Sequence, residues 1–129
     1  MNRQIIFDFY NTLYNPKTKK MFRGSFVLLK KLSQDYKLIL VTTFSPERVD
    51  ILVKLNLDNF FSKIIICPQK NQSIFKKLKR QSNETIVIGD REEEEIAFGL
   101  NLGLTVIKVN PNLENPTITI RKSLGERVL

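Results

Sequence analysis

Four polar side chains follow four apolar segments of the sequence, and their types would suit phosphoryl chemistry. Asp8 follows the apolar run Ile5–Phe7, and Thr42, Lys70 and Asp90 come at or just after the ends of three later apolar runs. Because the loops at the carboxyl ends of parallel strands converge on one crevice, we expect these side chains to be neighbours. An aspartate nucleophile, a hydroxyl, a lysine and a second acid can together attack and hold a phosphoryl group.

The bulk composition predicts a folded protein of one domain, residues 1–129, and not a disordered or membrane-spanning chain. Hydrophobic residues make up 42% of the sequence, and no apolar run approaches the ~20 residues that a membrane span needs. No signal peptide is visible and the single cysteine, Cys67, fits a reducing compartment, so we expect a cytoplasmic location. Since the chain has no histidine, acid–base work must fall to carboxylates, tyrosine or lysine.

The net charge of +8 and the isoelectric point of ≈ 9.7 are typical of a protein with an anionic partner. A phosphorylated metabolite, a nucleic acid or a lipid headgroup would fit this charge. A dense basic group, Lys76, Lys77, Lys79 and Arg80, lies on the predicted third helix. Half of this group could simply be the solvated face of an amphipathic helix, so nucleic-acid binding is a lesser alternative.

Apolar segments alternate regularly with amphipathic ones, which is typical of strands joined by single helices. The predicted strands are 4–9, 37–43, 63–67, 85–89 and 104–109. The predicted helices are 22–36, 45–56, 71–81 and 92–100, with Ser25 as a candidate cap of the first. Right-handed crossovers between such strands give an α/β fold, a three-layer α/β/α sandwich around a parallel, Rossmann-like sheet of about five strands.

Two segments fall outside this alternation. Residues 11–21 hold Asn, Pro, Lys and Thr and are predicted to form a loop. Residues 110–129 are predicted to be peripheral, with a short edge strand at 117–120 and a helical turn or two at 122–128.

The motifs and their order resemble those of the haloacid dehalogenase (HAD) superfamily, most of whose members are phosphatases. The family's first motif, an apolar strand ending in D-x-D-G-T, stands here as Asp-Phe-Tyr-Asn-Thr at residues 8–12. The Thr that closes the second motif's strand matches Thr42, and the Lys that opens the helix after the next strand matches Lys70. The fourth motif, Gly-Asp after an apolar strand with an acid five residues later, matches the pair ending at Asp90, with Glu95 as the acid.

This resemblance covers residues 4–109 and implies a phosphatase that works through an aspartyl-phosphate. By it, Asp8 would be the nucleophile, and Thr42 and Lys70 would hold the transferring phosphoryl group. Tyr10, which stands where the family has its second aspartate, would be at most a weak acid.

The resemblance also implies Mg²⁺ as the cofactor, because a carboxylate facing a phosphate needs a cation between them. One oxygen each of Asp8 and Asp90 and the backbone carbonyl of Tyr10 would bind the ion. Glu95, or alternatively Glu94, would position these ligands without binding the ion itself.

Tyr10 departs from the phosphatase pattern. The second aspartate normally protonates the leaving oxygen and then activates water, whereas a phenol can donate a proton at neutral pH but is a poor base. Dehalogenating members of the family also carry Tyr here, but they lack the acidic Gly-Asp motif and have a helical cap, so a dehalogenase-like hydrolase is a lesser alternative. We expect the ring to point toward the crevice mouth, because the turn leaves it little apolar wall.

The segments 13–37 and 56–69 leave no room for a cap domain, so we predict a single HAD-like core domain with an open crevice. An open crevice admits a bulky phosphorylated substrate, or it is closed by a neighbouring subunit of a homo-oligomer. The leading prediction is a slow, Mg²⁺-dependent phosphomonoesterase. The main alternative is a binding or regulatory module that kept the fold and the metal pocket but lost turnover.

Overall fold

The computed structural model of the chain describes residues 2–128. Over these residues the strands are β1 Arg3–Phe7, β2 Tyr14–Asn15, β3 Lys20–Met21, β4 Lys37–Thr43, β5 Lys63–Cys67, β6 Glu84–Gly89 and β7 Thr105–Lys108. The α-helices are α1 Ser25–Leu32, α2 Pro46–Lys54, α3 Gln72–Lys79, α4 Ala97–Asn101 and α5 Pro116–Val128, with a 3₁₀ turn at Leu57–Asn59 and a π-type turn at Glu92–Ile96. Within the described range, none of these helices has the length and apolar character needed to cross a bilayer.

Five strands form one parallel sheet in the order β5-β4-β1-β6-β7, which confirms the predicted Rossmann-like architecture. The chain first builds outward from β1 through β4 to β5, then crosses back to place β6 and β7 on the other side. The order therefore reverses at β1, and a crevice opens at the carboxyl end of such a strand. Asp8 directly follows β1, so the topology places this carboxylate at the crevice.

Apolar layers cover both faces of the sheet, as a three-layer sandwich requires. On one face, Phe7 and Leu40 belong to a core that includes buried residues of α1, α2 and α5. On the other face, Ile6 and Val87 pack with Phe75 of α3. Neighbouring residues of β1 thus enter opposite layers because of the pleat, and burying each large apolar side chain contributes about 1.5–3 kcal/mol.

The edge strand predicted from the alternating residues 117–120 is wrong, because these residues lie in α5. Asn115 Oδ1 accepts a hydrogen bond from the Thr117 amide at 3.1 Å, and Pro116 occupies the first helical position. Ile120 and Leu124, four residues apart, are buried in the core beside α1. The segment is therefore an integral part of the core layer, and the predicted peripheral position is wrong; the helix predicted at 122–128 is confirmed.

Two further local predictions need correction near α1. Within the predicted loop 11–21, β2 and β3 pair as a short antiparallel hairpin, with Tyr14 opposite Met21. Gly24, with φ of 89°, occupies the position before the helix, and Ser25 is the first helical residue and not its cap. The Ser25 hydroxyl instead donates to the Leu13 carbonyl at 3.1 Å, which ties α1 to the segment before the hairpin.

Candidate active site

A cleft of about 480 Å³ opens at the carboxyl end of β1. Asp8, Lys70 and Asp90 line it, so the structure brings together three of the four side chains that the sequence predicted to be neighbours. Asp8 and Lys70 are buried and Asp90 is partly buried. Thr42 is buried at the end of β4, and the adjacent Thr43 lines the cleft in its place.

Lys70 is the centre of a buried network of ion pairs. Its ammonium Nζ lies 2.6 Å from Asp8 Oδ1 and 2.9 Å from Glu95 Oε1, and all three side chains are buried. Burial alone would lower the pKa of Lys70, but the two carboxylates outweigh burial and raise that pKa above its ordinary value. Lys70 therefore carries a fixed positive charge. Two of the three N–H donors of its ammonium bind carboxylates, so the third is available to a ligand oxygen.

The carboxyl groups outnumber the cations at this point of the cleft. Burial, followed by the hydrogen bond and the charge of Asp8, raises the pKa of Asp90 from 3.8 to about 8. Burial and the charge of Asp8 also raise the pKa of Glu95. Oxygens of Asp8, Asp90 and Glu95 lie within 4.8 Å of one another, and Asp90 Oδ1 is enclosed without a hydrogen-bond partner in residues 2–128. An oxygen-rich cluster in which carboxyl groups outnumber the one ammonium is the kind of site that a hard divalent cation occupies.

The raised pKa of Asp90 predicts that the metal-free protein loses stability as the pH rises. The folded protein keeps this proton up to about pH 8, whereas an ordinary aspartate releases it near 3.8. The contribution of the protonated Asp90 to the free energy of unfolding is complete below about pH 3.8, and it is lost progressively as the pH rises to about 8. With a chelator present, we expect the melting temperature to be several degrees lower at about pH 9 than at about pH 6. Asp90→Asn should flatten this dependence, and an unchanged slope in that variant would contradict the assignment.

The irregular start of the fourth helical segment positions Glu95. A regular helix was expected over 92–100, but Glu92–Ile96 form a π-type turn in which Glu94 has the non-helical angles φ −119° and ψ −108°. The turn brings Glu95 into the interior, where its Oε2 accepts a hydrogen bond from the Arg91 amide at 2.8 Å. Glu94 lines the cleft outside the carboxylate cluster. Of the two acids predicted to support the site, the structure therefore places Glu95 beside Lys70.

Gly89, the last residue of β6, leaves the space that Glu95 fills. A Cβ at this position would lie 2.4 Å from Cγ and Oε2 of Glu95. We expect Gly89→Ala to push Glu95 away from Lys70 and to lower the free energy of unfolding by about 1–3 kcal/mol, measured by urea denaturation. Gly125→Ala is the matched control, since a Cβ there meets nothing within 4 Å and α5 gains a better helix former. If Gly89→Ala and Gly125→Ala have the same free energy of unfolding, Glu95 moves away from the added Cβ without a loss of stability, and the prediction is wrong.

Two buried threonines, Thr12 and Thr42, have hydroxyls without a hydrogen-bond partner in the described part of the chain. Both side chains are almost fully buried, at 0% and 1% exposure. Leaving a buried hydroxyl unpaired costs about 1–3 kcal/mol. Each is therefore a candidate donor or acceptor for a group that the chain itself does not supply.

Tyr10 lies between the cleft and an aromatic wall. It lines the cleft, and it packs against the apolar core, so the expectation of little apolar wall is wrong. The ring centroid lies 5.7 Å from that of Phe9 and 5.6 Å from that of Tyr14. The guanidinium carbon of Arg48 lies 4.1 Å from the same centroid, within the range of a cation–π contact. Tyr10 is therefore held in a stack and does not project freely into solvent.

Arg48 is a cleft residue that the sequence analysis missed. It lies in the first turn of α2, where Ser45 Oγ caps the helix by accepting a hydrogen bond from the Arg48 amide at 3.1 Å. One signal was present in the sequence, since Ser45-Pro46-Glu47 marks a helix that begins right after β4 and so faces the crevice. Its contact with Tyr10 joins residues 38 positions apart and has no sequence signature.

The sheet order, the strand-end placement of Asp8, Thr42, Lys70 and Asp90, and the family comparison agree, and the chain belongs to the haloacid dehalogenase-like hydrolases. A family profile of that description matches residues 3–109. A comparison with curated proteins finds no match.

Several solved structures share this fold. A HAD-family protein from Bacillus subtilis, YfnB, solved bound to magnesium, is similar with a TM-score of 0.61 and 24% identity over 74% of this chain. The chain covers 46% of that protein, or about half its length. A hydrolase from Streptococcus pneumoniae gives a TM-score of 0.75 at 17% identity, with 96% of this chain and 98% of the other covered. A HAD phosphatase from Thermococcus onnurineus gives 0.70 at 19% identity, with 85% and 60% covered. At these identities the likeness is one of fold.

Proposed function

We propose that this protein is a Mg²⁺-dependent phosphomonoesterase that works through an aspartyl-phosphate on Asp8. The observation that carries the proposal is the 2.6 Å ion pair between Lys70 and Asp8, buried at the cleft floor beside Asp90. A nucleophilic carboxylate that approaches an anionic substrate needs a positive charge beside it, and the buried ammonium of Lys70 supplies one. Membership of a hydrolase family supports the same reaction class.

The donor set of the cleft fits Mg²⁺. Carboxylate oxygens of Asp8 and Asp90 would hold the ion, and the enclosed, unpaired Asp90 Oδ1 is explained if a cation is its partner. The backbone carbonyl of Tyr10 would be a further ligand, since the amides of the next turn, residues 12–14, all donate to the Phe9 carbonyl instead. When bound, Mg²⁺ neutralises charge between the nucleophile and the phosphoryl oxygens. The magnesium-bound relative YfnB makes this metal the first to test.

The residues of the chain divide the reaction between them. An Asp8 oxygen attacks phosphorus, the bond from phosphorus to the leaving oxygen breaks, and that oxygen takes up a proton from the Tyr10 phenol or from water. Water then attacks the aspartyl-phosphate, which releases inorganic phosphate and restores the Asp8 carboxylate. The third donor of Lys70, which lines the cleft, would hold a phosphoryl oxygen during both steps.

Tyr10 sets the expected rate. Because a phenol is a poor base for the hydrolysis step, we expect slow release of phosphate from an aryl phosphate in the presence of Mg²⁺. Tyr10→Asp should raise that rate, by as much as the ~10²–10⁴-fold that acid–base catalysis supplies. Tyr10→Asn is the matched control, because it has the same size as the aspartate without its acid. Turnover that persists in a chelator, or equal rates in the two variants, would contradict this account.

The substrate that we propose is a bulky phosphomonoester or one presented by a second subunit. Between β1 and β4 the chain forms only the β2–β3 hairpin and α1, which supports an open cleft. A cytoplasmic location belongs to the same proposal, since the buried Cys67 is a free thiol.

A binding or regulatory module is the second candidate. The stack of Arg48 on Tyr10 favours it, because a ring held in this way is poorly placed to exchange protons. The same assay separates the two candidates: a melting shift with Mg²⁺ and vanadate, but no turnover over a broad phosphate panel, would favour the binding module. Nucleic-acid binding through the basic group on α3 stays a prediction, and one member of that group, Lys79, already donates to the Leu102 carbonyl at 2.8 Å.

A further inference from the structure

Arg48 differs from the other two cationic side chains that line the cleft. Lys70 and Arg91 each form salt bridges with two acidic side chains. Over residues 2–128, Arg48 forms none. It therefore presents a positive charge at the cleft without a carboxylate of the described residues at salt-bridge distance.

The guanidinium of Arg48 is nonetheless held in place. Its carbon Cζ lies over the Tyr10 ring, 4.1 Å from the ring centroid, and its Nη1 donates a hydrogen bond to the Thr43 carbonyl at 2.8 Å. Its Nε is enclosed and has no hydrogen-bond partner within the described residues. A guanidinium has five N–H donors in a rigid fork, so most of them remain for a ligand. An enclosed donor without an acceptor is costly, and an anionic ligand would remove that cost.

We propose that Arg48, positioned by Tyr10, recognises a second anionic group on the substrate, a carboxylate or a phosphate carried by the leaving alcohol. The inference rests on the proposed function, since the phosphoryl group itself would be held by Lys70. It also gives Tyr10 a role: the residue that replaces the family's second aspartate supplies the ring on which Arg48 rests. An aspartate at this position would instead offer Arg48 a carboxylate and neutralise it.

A purely structural role for Arg48 explains less of the geometry. The bond to the Thr43 carbonyl links α2 to the end of β4, and a lysine could make it equally well. That bond leaves the enclosed Nε of Arg48 without a hydrogen-bond partner. It also makes no use of the planar guanidinium, which can donate two parallel hydrogen bonds to one oxyanion. Recognition of an oxyanion accounts for both features.

Binding of phosphonates, which cannot be hydrolysed, tests the inference without turnover. Benzylphosphonate, its 4-carboxy derivative, its neutral 4-carbamoyl derivative and a bisphosphonate on the same scaffold are titrated calorimetrically with Mg²⁺ present. We expect the wild type to bind one or both of the doubly anionic compounds about 10- to 100-fold more tightly than the neutral amide, as a charge-assisted hydrogen bond allows. Comparing the carboxylate with the second phosphonate shows which anion fits.

The variants separate recognition from general electrostatics. Arg48→Met should abolish the preference, whereas Lys77→Met, which removes the same charge from the exposed face of α3, should keep it. Arg48→Lys should restore only part of it, because an ammonium lacks the fork. Tyr10→Phe, which retains the ring, should keep the preference, and Tyr10→Leu should weaken it. The inference is wrong if the wild type binds the charged and neutral compounds equally, if it binds none of them, or if Arg48→Met keeps the preference.

Failure of the proposed function gives a different result. If the preference for the second anion is present but no phosphomonoester with or without a carboxylate is hydrolysed, then the phosphatase proposal fails and anion recognition by Arg48 stands. If both kinds of ester are hydrolysed at equal kcat/KM and the phosphonates bind equally, then the phosphatase proposal stands and the role of Arg48 is overturned.

Discussion

Asp8→Asn should lower Mg²⁺-dependent phosphate release by at least about 10⁴-fold, because an amide oxygen cannot form the aspartyl-phosphate. The side chain keeps its size, and its remaining oxygen can still accept a hydrogen bond from Lys70, 2.6 Å away in the native protein. The variant should therefore fold, and its melting temperature should stay within a few degrees of the wild type. The measurement is phosphate release from an aryl phosphate at saturating Mg²⁺, with melting curves on the same preparations.

Asp50→Asn is the matched control for this substitution. Asp50 is an exposed aspartate of α2 with no contact to the carboxylate cluster, so its loss should leave the rate unchanged. A folded Asp8→Asn protein with more than about a tenth of the wild-type rate would rule out covalent catalysis by this residue. Trapping of ³²P on the wild type but not on the variant would support it directly.

Lys70→Met is expected to cause the largest loss of stability of any variant considered. Lys70 is the cation that balances Asp8 and Glu95 inside the protein, and removing one partner of a buried ion pair costs about 3–5 kcal/mol. The loss should be greater at about pH 8 than at about pH 6, because at the lower pH the carboxyl groups can take up protons instead. Mg²⁺ should restore part of the lost stability by binding the carboxylates that no longer have an ammonium partner.

Two further variants test whether the loss of stability in Lys70→Met comes from the ion-pair network. Lys77→Met removes an exposed lysine of α3 and should change the free energy of unfolding by less than about 0.5 kcal/mol. Adding Glu95→Gln to Lys70→Met removes one of the unbalanced charges and should recover stability at the higher pH. If denaturant unfolding in a chelator shows the same stability for Lys70→Met and Lys77→Met, the ion-pair network does not stabilise the fold.

The sheet and its strand-end residues could be predicted because they follow from local patterns. The buried strands β1, β4 and β6 are continuous apolar runs, and the helices between them carry apolar residues at helical spacing. Parallel strands joined in this way leave few topologies open, so the convergence of Asp8, Lys70 and Asp90 followed without any knowledge of contacts.

The features that escaped prediction depend on contacts between distant residues. The alternating Thr-Ile-Thr-Ile at 117–120 has the period of a strand, but it forms a helix that Asn115 caps and that docks Ile120 beside α1. The π-type turn before α4 accompanies the contact of Glu95 with Lys70, 25 residues earlier. The pairing of Arg48 with Tyr10 is of the same kind. Local sequence patterns specify the helices and strands, whereas contacts between residues distant in the sequence specify the detailed geometry of the site.

The imbalance of charge at the cleft floor has a kinetic consequence. The chain as a whole carries +8 and draws anions toward its surface, yet the innermost part of the cleft holds three carboxyl groups around one ammonium. Above about pH 8, where Asp90 releases its proton, a phosphorylated molecule that arrives before a divalent cation would be attracted from afar and repelled at close range. If the protein is the Mg²⁺-dependent phosphatase proposed above, the cation would then bind first and the phosphate ester second. The activity would follow the supply of the cation as much as that of the substrate.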